Sequence, residues 1–508
     1  MTLQTKVVIV GAGPTGLSMA AQLLRYHIDF IILEKNERTT PLSKAVVVQA
    51  RTLEIFRELD LSEKAVQAGQ ITTAINLFYK GRRKTAVDLA GLGEGLSPFP
   101  FALSLEQSKT EQLLVDFLTA HQKNIHWRST VTHFEQQQDH VTVYYSDHNG
   151  QTQQIEAAYL VGCDGAGSLT RHQMGIPFEG DTIPKIFYVA DVQLQSPVIN
   201  THELFMFMIK KGFVLFFPME GLRHYRIVGI LPDATDNTSL DFAAIENTIK
   251  EQVQVPVSFE AVQWFSSYKV HSRKAGAFEN GRCFIAGDSA HIHTPAGGQG
   301  MNTGIQDAYN LAWKLAYTLN GTVSKAVLQS YSTERGENAQ HLLQSTDRLF
   351  DIMSGTNAFW NFIRLHVFTR VIRLLSKAAV VKKRIFPLLS QTGIAYPNSY
   401  LTVPGSIGKV KAGDRMPYFL LPGNRPIFDE LTEPAFKIVF FGTEGQHHPD
   451  QTGYRFPVVT KTFATIPAAL FGQVKNFYVL LRPDNHISYI GTDRSTCKAF
   501  LEKIRVVE

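Results

Sequence analysis

Lys6-VVIVGAGPTGLSMAAQLLRYHIDFIIL-Glu34 decides the fold of this chain. Val7 to Val10 is continuously apolar, as a strand buried on both faces requires. Gly11-Ala12-Gly13-Pro14-Thr15-Gly16 follows, then an apolar-periodic stretch to Tyr26, then a second strand, Phe30 to Leu33. Gly11 permits a tight turn, Gly13 lets backbone approach a pyrophosphate, and Gly16 allows close helix packing. The helix start, with Pro14 and Thr15 in its first turn, offers unpaired N–H groups and a positive dipole end to phosphates. Glu34 stands at the distance where a carboxylate accepts from ribose hydroxyls, and Lys35 beside it joins the candidate cofactor set. The pattern predicts a dinucleotide-binding unit. By itself it does not separate FAD from a nicotinamide cofactor.

The rest of the chain bounds the class. A length of 508 residues suggests about three domains. Apolar residues make up 44% and charged residues 19%, which excludes a disordered or fibrous chain. Cys163, Cys283 and Cys497 are scattered and give neither a disulfide framework nor metal-ligand spacing. The formal charge of +5 is modest and gives no argument for nucleic acid. No secretory leader pattern and no apolar run of roughly 18 residues is visible, so a soluble cytoplasmic protein is expected.

The pattern along the chain predicts an α/β architecture. Residues 1–180 form the first part of a Rossmann-like nucleotide-binding domain, with 71–104 contributing to a β-sheet substrate domain that occupies 181–270. Residues 271–345 resume the first domain, 346–404 form a helical linker, and 405–508 form a small α/β domain. A helix is expected from Leu53 to Ala68 and from Leu105 to His121. A basic turn is expected at Gly81-RRK, and a hairpin at Asn149-Gly150.

Two later motifs decide for flavin. One is Tyr159-LVGCDGAGSLT-Arg171, a buried strand ending in Asp164-Gly165. The other is Arg282-CFIAGDSAHIHTPAGGQGMNT-Gly304, a buried strand ending in Gly287-Asp288, then Pro295, then a glycine turn into a helix. Together with the opening loop they resemble the group A flavoprotein monooxygenases, the para-hydroxybenzoate hydroxylase-like aromatic hydroxylases, over nearly the whole chain. Asp288 can accept from ribityl hydroxyls of FAD. Gly298, Gly300, Met301 and Asn302 present backbone N–H groups at the start of an amphipathic helix bearing Ile305, Ala308, Ala312 and Leu315. The dipole of that helix would stabilise negative charge on the pyrimidine end of reduced flavin. His291 and His293 lack a partnering cluster and read as loop histidines, and no metal is expected.

The resemblance carries further residues. Asp164 and Gly165 are implied to help hold FAD, and Asp164 to contribute to nicotinamide cofactor use; its structural alternative is to hold its own strand–helix turn. Gln107 matches a glutamine near the flavin. In Ser43-KAVVVQARTL-Glu54, Lys44 stands where arginine is usual and lacks its planar fork, so Arg51 is preferred as a cofactor contact. NADPH or NADH is implied to dock transiently, since Gly91-Leu-Gly-Glu-Gly95 has the wrong spacing for a second nucleotide loop. Hydroxylation with O₂ is implied to pass through a flavin C4a-hydroperoxide. The strand Gly212-FVLFFPM-Glu220 matches the substrate-facing strand. Its Phe213, Phe216, Phe217 and Met219 replace polar anchors and point to a bulky aromatic, phenolic, polyketide or antibiotic-like substrate. The flavin carries the chemistry, so no side chain is a necessary catalyst. Pro295 beside the flavin edge, and Tyr225, His224 or Arg226 as phenol-orienting groups, are the candidates.

Between Asp351 and Asp414 there is no acidic residue, and Arg364, Arg370, Arg373, Lys377, Lys382, Lys383 and Arg384 interleave with Phe359, Trp360, Phe362, Phe368 and Leu374. Such a stretch could contact an anionic membrane surface, but a domain-bridging helix is preferred. The tail, with Val479-LLRPDNHISYI-Gly491, resembles the thioredoxin-like domain of phenol and polyketide hydroxylases. It lacks CxxC, so a structural or homodimer-forming role is expected. The competing classes are a flavin oxidase or reductase without oxygen insertion, and a non-catalytic flavin-binding protein.

Overall fold

The computed structural model describes residues 3–40, 45–89, 91–209, 212–231, 241–294, 297–354, 379–442 and 454–506. The opening strand Leu3–Val10 pairs in parallel with Phe30–Leu33 on one side and Thr152–Gly162 on the other. Thr152–Gly162 pairs in parallel with Cys283–Ile285. All three sequence motifs therefore leave the same carboxyl edge of one sheet, where open α/β sheets form their ligand crevice. Val7, Val8, Ile9, Leu160, Val161 and Ile285 have no exposed surface, which fits strands covered on both faces.

The substrate sheet has eight strands among the described residues. Two of them, Phe178–Gln195 and Ser258–Ala275, are 18 residues long and run from the nucleotide domain outward. Ala74–Tyr79 pairs in parallel with Glu203–Ile209, and Arg82–Asp88 pairs with Ala74–Tyr79, so residues 74–88 lie in this sheet. The hairpin turn sits at Lys80 and Gly81, one residue earlier than the basic run suggests. Both have positive φ (51° and 66°), as a primed hairpin turn requires. The expected helix from Leu53 is two helices, Ala50–Arg57 and Ser62–Gln67, separated by Asp60 at φ 56°.

Period-two alternation gives the substrate sheet two faces. Tyr188, Phe205, Phe207, Val214, Phe216, Tyr225 and Ile227 pack with Phe242, Ile245 and Ile249 of the helix Phe242–Val253. Phe187, Phe213, Ile230 and Val270 pack with Phe350 and Met353 of the helix Lys325–Ser354.

The last domain is a four-stranded sheet in the order Val458–Phe463, Phe436–Phe441, Phe477–Leu481, Ile487–Gly491, followed by the helix Arg494–Ile504. All three cysteines are free, with Cys283 and Cys497 buried. The basic stretch from Phe359 to Lys377 lies outside the described residues. Among the described residues, no helix is long and apolar enough to cross a membrane.

Candidate active site

The first glycine loop is held by its own backbone. Gly11 N–H donates to the Leu33 carbonyl at 2.8 Å, and Ala12 N–H donates to Glu34 Oε2 at 2.7 Å. Asn36 fixes the other carboxylate oxygen through its N–H (2.9 Å) and its Nδ2 (2.6 Å). Glu34 is thus locked at the strand end beside the turn, while Lys35 is exposed at the rim. No side chain caps the helix Pro14–Arg25, which begins at Gly13. A Cβ on Gly13 would meet nothing within 4 Å. Open space above an uncapped helix start suits a pyrophosphate.

Thr15 points into the protein. Cβ atoms placed on Gly287 and Gly304 would lie 2.4 and 2.2 Å from its Oγ1. The glycines of the later motif therefore make room for Thr15, and the two nucleotide loops are seated on one another.

In the second motif, residues 283–291 are buried except Asp288, which is exposed at the strand end. That placement puts its carboxylate at the edge of the crevice, within reach of a ligand. The helix Gly300–Leu319 likewise has no side-chain cap. The side chain of Asn302 is internal. Its Oδ1 accepts from Gln49 N–H and Thr52 Oγ1, each at 2.8 Å, and its Nδ2 donates to the carbonyls of Val47 (2.8 Å) and Gly298 (3.1 Å). What it and Met301 can offer a cofactor is the backbone at the helix start.

The amphipathic reading of this helix needs correction. Residues 302–317 are all buried, polar ones included, because its second face is covered by protein. Asp307 accepts from Gly287 N–H (2.9 Å), His291 Nε2 (2.6 Å) and Arg335 Nε (2.6 Å). Lys314 meets Glu334 at 2.8 Å. His291 is thus anchored sixteen residues away. The sequence signal for this was the single acidic residue of the helix Gly300–Leu319.

The other expected cofactor residues divide. Gln107 lies beside the loop: its N–H donates to the Ala45 carbonyl (3.1 Å) and its Nε2 to Glu111 (2.9 Å). Asp164 is engaged inside the protein. Its carboxylate accepts from Ser168 Oγ (2.6 Å), Thr170 N–H (3.0 Å), Thr170 Oγ1 (3.1 Å) and Ser289 Oγ (3.0 Å). Gly165 N–H donates to the same Ser289 hydroxyl at 2.9 Å. The turn-holding role is the one this geometry displays. Arg51 faces away from the crevice, toward Glu54 (3.1 Å) and the Asp484 carbonyl (3.1 Å). Its guanidinium is held there by the Glu54 carboxylate and the face of the Tyr309 ring. Lys44 and Pro295 lie outside the described residues.

The substrate sheet meets the nucleotide domain where Arg226 Nη1 donates to the Ala45 carbonyl at 3.0 Å. The same guanidinium forms a two-pronged pair with Asp191, at 2.7 and 2.6 Å, and lies 5.6 Å from the Trp264 ring centroid. This fixes which face looks at the crevice. Asp191, Arg226 and Phe217 are register partners across three strands. Leu215 and Met206 are partners in a neighbouring row. Phe213, Phe217 and His224 lie on the crevice-side face by alternation, although Phe213 is packed on the long helix. Phe216 and Tyr225 lie on the opposite face, under the helix Phe242–Val253, which removes them from a substrate wall. Burial also pushes the Tyr225 phenol up to about 12, which disqualifies it as a base near neutrality. Met219 is buried at the hairpin end, where its N–H donates to the His224 carbonyl at 3.0 Å.

Sequence reading missed a second feature. Arg171, His172, His271 and Arg273 line a cleft of about 510 Å³ between the Asp164 turn and the long strand Ser258–Ala275. Arg171 Nε and Arg273 Nε are buried and unpartnered, and no carboxylate lines the cleft among the described residues. Burial lowers the Arg171 pKa, and the neighbouring Arg273 lowers it further against the pull of Asp164. Two guanidiniums gathered at one cavity favour an anion. Their separation by 102 positions in sequence hid them.

Comparisons with known proteins show the family of the chain. Residues 4–346 match the family model described as FAD binding domain. The chain is 29% identical over 509 residues to an uncharacterized aromatic compound monooxygenase, YhjG, of Bacillus subtilis, covering 99% of this chain and 98% of that protein. It is 32% identical over 361 residues to a 12-dehydrotetracycline 5-monooxygenase/anhydrotetracycline 6-monooxygenase of Streptomyces rimosus, covering 67% and 68%. Among solved structures, the anhydrotetracycline hydroxylase OxyS of Streptomyces rimosus superposes with a TM-score of 0.79 at 26% identity over 99% of both chains. Crevice, glycine loops and inserted sheet together make this chain a member of the FAD-binding-domain family of flavin-dependent aromatic monooxygenases.

Proposed function

We propose that this protein hydroxylates a bulky, weakly anionic aromatic compound with FAD, O₂ and NADPH or NADH, as a soluble cytoplasmic enzyme. The observation that carries this reading is the sheet face joined to the nucleotide domain at Ala45. Met206, Leu215, Phe217, Trp264 and Tyr268 are half-buried there. The charged pair on this face, Arg226 and Asp191, is closed on itself. A small carboxylated phenol would find no free cation among these residues, whereas a polycyclic ring system would bury apolar surface on all five. The anhydrotetracycline-hydroxylating relative and structure from Streptomyces rimosus named above support the same size class.

FAD, when bound, supplies the redox and oxygen-activating chemistry. The chain supplies placement. Glu34 is set to accept from a ribose, the open turn at Gly13 to admit the pyrophosphate, and Asp288 to accept from the ribityl chain. The uncapped start of Gly300–Leu319 faces developing negative charge with its amides. The aromatic wall excludes water from the reacting edge. The cationic cleft at Arg171 and Arg273 is suited to the phosphates of the nicotinamide donor. The experiment is NADPH and NADH oxidation by the FAD-loaded chain with anhydrotetracycline, a set of polycyclic phenols and a set of simple hydroxybenzoates. The reading expects stimulation by the polycyclic compounds. Stimulation by hydroxybenzoates alone would overturn the substrate class.

A further inference from the structure

The turn Arg482–His486 of the C-terminal sheet reaches into the nucleotide domain. Arg482 pairs with Glu334 at 2.7 and 3.0 Å and with Asp484, whose Oδ2 also accepts from Trp313 Nε1 at 3.2 Å. The Asp484 carbonyl accepts from Arg51 Nη2 at 3.1 Å, and the Arg51 guanidinium lies 5.4 Å from the Tyr309 ring centroid. Glu54, paired with Arg51, is also gripped by Arg415 of the C-terminal part at 3.1 and 3.2 Å. The helix Ala50–Arg57 is thus tied to the C-terminal part through two buried arginines, its own Arg51 and Arg415. On its other side, Thr52 and the Gln49 N–H hold Asn302, and Asn302 holds the Gly298 carbonyl. A continuous path of buried polar contacts therefore runs from Asp484 to the second glycine loop, with one helix as its middle.

We propose that Arg51 is a positioning residue for the flavin loop, through which the C-terminal domain holds Gly298 to Asn302 in their cofactor-binding arrangement. The domain is then part of the cofactor site and not a detachable module. Buried hydrogen bonds to a charged group are among the strongest a fold makes, and losing one leaves its partners unsatisfied. Arg51 touches neither substrate nor flavin in this assignment. It acts by fixing the helix that carries Gln49 and Thr52. The inference rests on FAD binding and is independent of the substrate.

The test uses the full chain, stripped of FAD and reloaded, with Arg51→Gln, Arg51→Lys and Thr52→Val, and Lys498→Ala on the exposed last helix as control. FAD affinity is read by flavin fluorescence, the midpoint potential of bound flavin by spectroscopic titration, and the melting of the FAD-free protein by circular dichroism. Arg51→Gln is expected to weaken FAD about tenfold or more and to move the potential. Arg51→Lys, which keeps charge but not the planar fork, falls between. Thr52→Val removes one donor to Asn302 and should weaken FAD about threefold with little change in FAD-free melting. It decides the matter if Arg51→Gln does not fold. Wild-type affinity and potential in the folded variants, even with lowered melting, would make Arg51 purely structural and overturn the proposal. The expected changes in FAD affinity and potential, seen in a protein that hydroxylates nothing, would instead count against the proposed reaction alone.

Discussion

A methyl group on Gly16 would lie 1.9 Å from the Gly11 carbonyl oxygen, whereas one on Gly13 would meet nothing within 4 Å. The two glycines therefore stand under different constraints: the turn leaves no room at Gly16, and Gly13 faces the open space proposed for the pyrophosphate. Gly13 has φ −73°, which alanine adopts freely. Gly13→Ala should leave melting of the FAD-free protein unchanged and weaken FAD about tenfold or more, because its methyl occupies the pyrophosphate approach. Gly16→Ala should damage both. Undiminished affinity in Gly13→Ala would remove the pyrophosphate from this turn.

Phe217 and Phe216 are neighbours on opposite faces, and their alanine variants should separate cleanly. Phe216 is fully buried against the outer helix, so Phe216→Ala is expected to cost about 3–5 kcal/mol in denaturant unfolding. Its product yield per NADPH oxidised should not change. Phe217→Ala on the half-buried crevice side should cost less stability, raise the KM for the aromatic substrate, and divert NADPH oxidation toward hydrogen peroxide. A Phe216→Ala variant that uncouples turnover, with Phe217→Ala unaffected, would reverse the assignment of faces.

Glu334 gives the fold an acid limit. Burial alone would raise its carboxyl, but Arg482 and Lys314 outweigh burial and hold it at about 2, below its ordinary 4.5. A carboxyl lowered in the folded state contributes stability above the unfolded value and loses it as pH falls. Stability should therefore decline between about pH 4.5 and 2, by a term on the order of 3 kcal/mol. Glu334→Gln should be less stable at pH 7 and should lack that part of the acid decline. The check is denaturant unfolding of both proteins from pH 7 to pH 3. Parallel pH curves would show that the buried cluster does not set the acid limit.

Arg273→Gln should raise the KM for NADPH about tenfold, leaving FAD affinity and the KM for the aromatic substrate near wild type. Steady-state kinetics at low and moderate salt provide the measurement, and the wild-type KM should rise with salt while that of the variant changes less. A KM for NADPH untouched by the substitution would detach the cleft from the nicotinamide donor.

The parts of the site legible in sequence were those whose chemistry is local. The turn from Gly11 to Gly16 and the run from Gly287 to Gly304 each carry strand end, turn and helix start within a few residues. Their spacing is enough to place them at one sheet edge. What escaped was long-range. Arg51 looked like a cofactor ligand until Asp484, 433 positions later, supplied its partner. Asp164 read as a cofactor residue, and one of its partners, the Ser289 hydroxyl, lies 125 positions later. Lys314 and Asp307 lie off the apolar stripe of the expected amphipathic helix, and Glu334 and Arg335 pair with them inside the protein. Alternation separated Tyr225 from its neighbours, but only the Arg226 contact to Ala45 showed which face meets the crevice. Sequence spacing carries no information about which distant charge neutralises a buried one, because many pairings satisfy the same pattern.

The central claim is that this chain inserts one atom of O₂ into an aromatic ring. The FAD-loaded enzyme, NADPH and anhydrotetracycline or another compound that stimulates NADPH oxidation are incubated under ¹⁸O₂, and the product is weighed by mass spectrometry. One labelled oxygen per product molecule, with none entering from labelled water, is the predicted result. A product without label, or NADPH oxidation that forms only hydrogen peroxide with every compound tested, would contradict it.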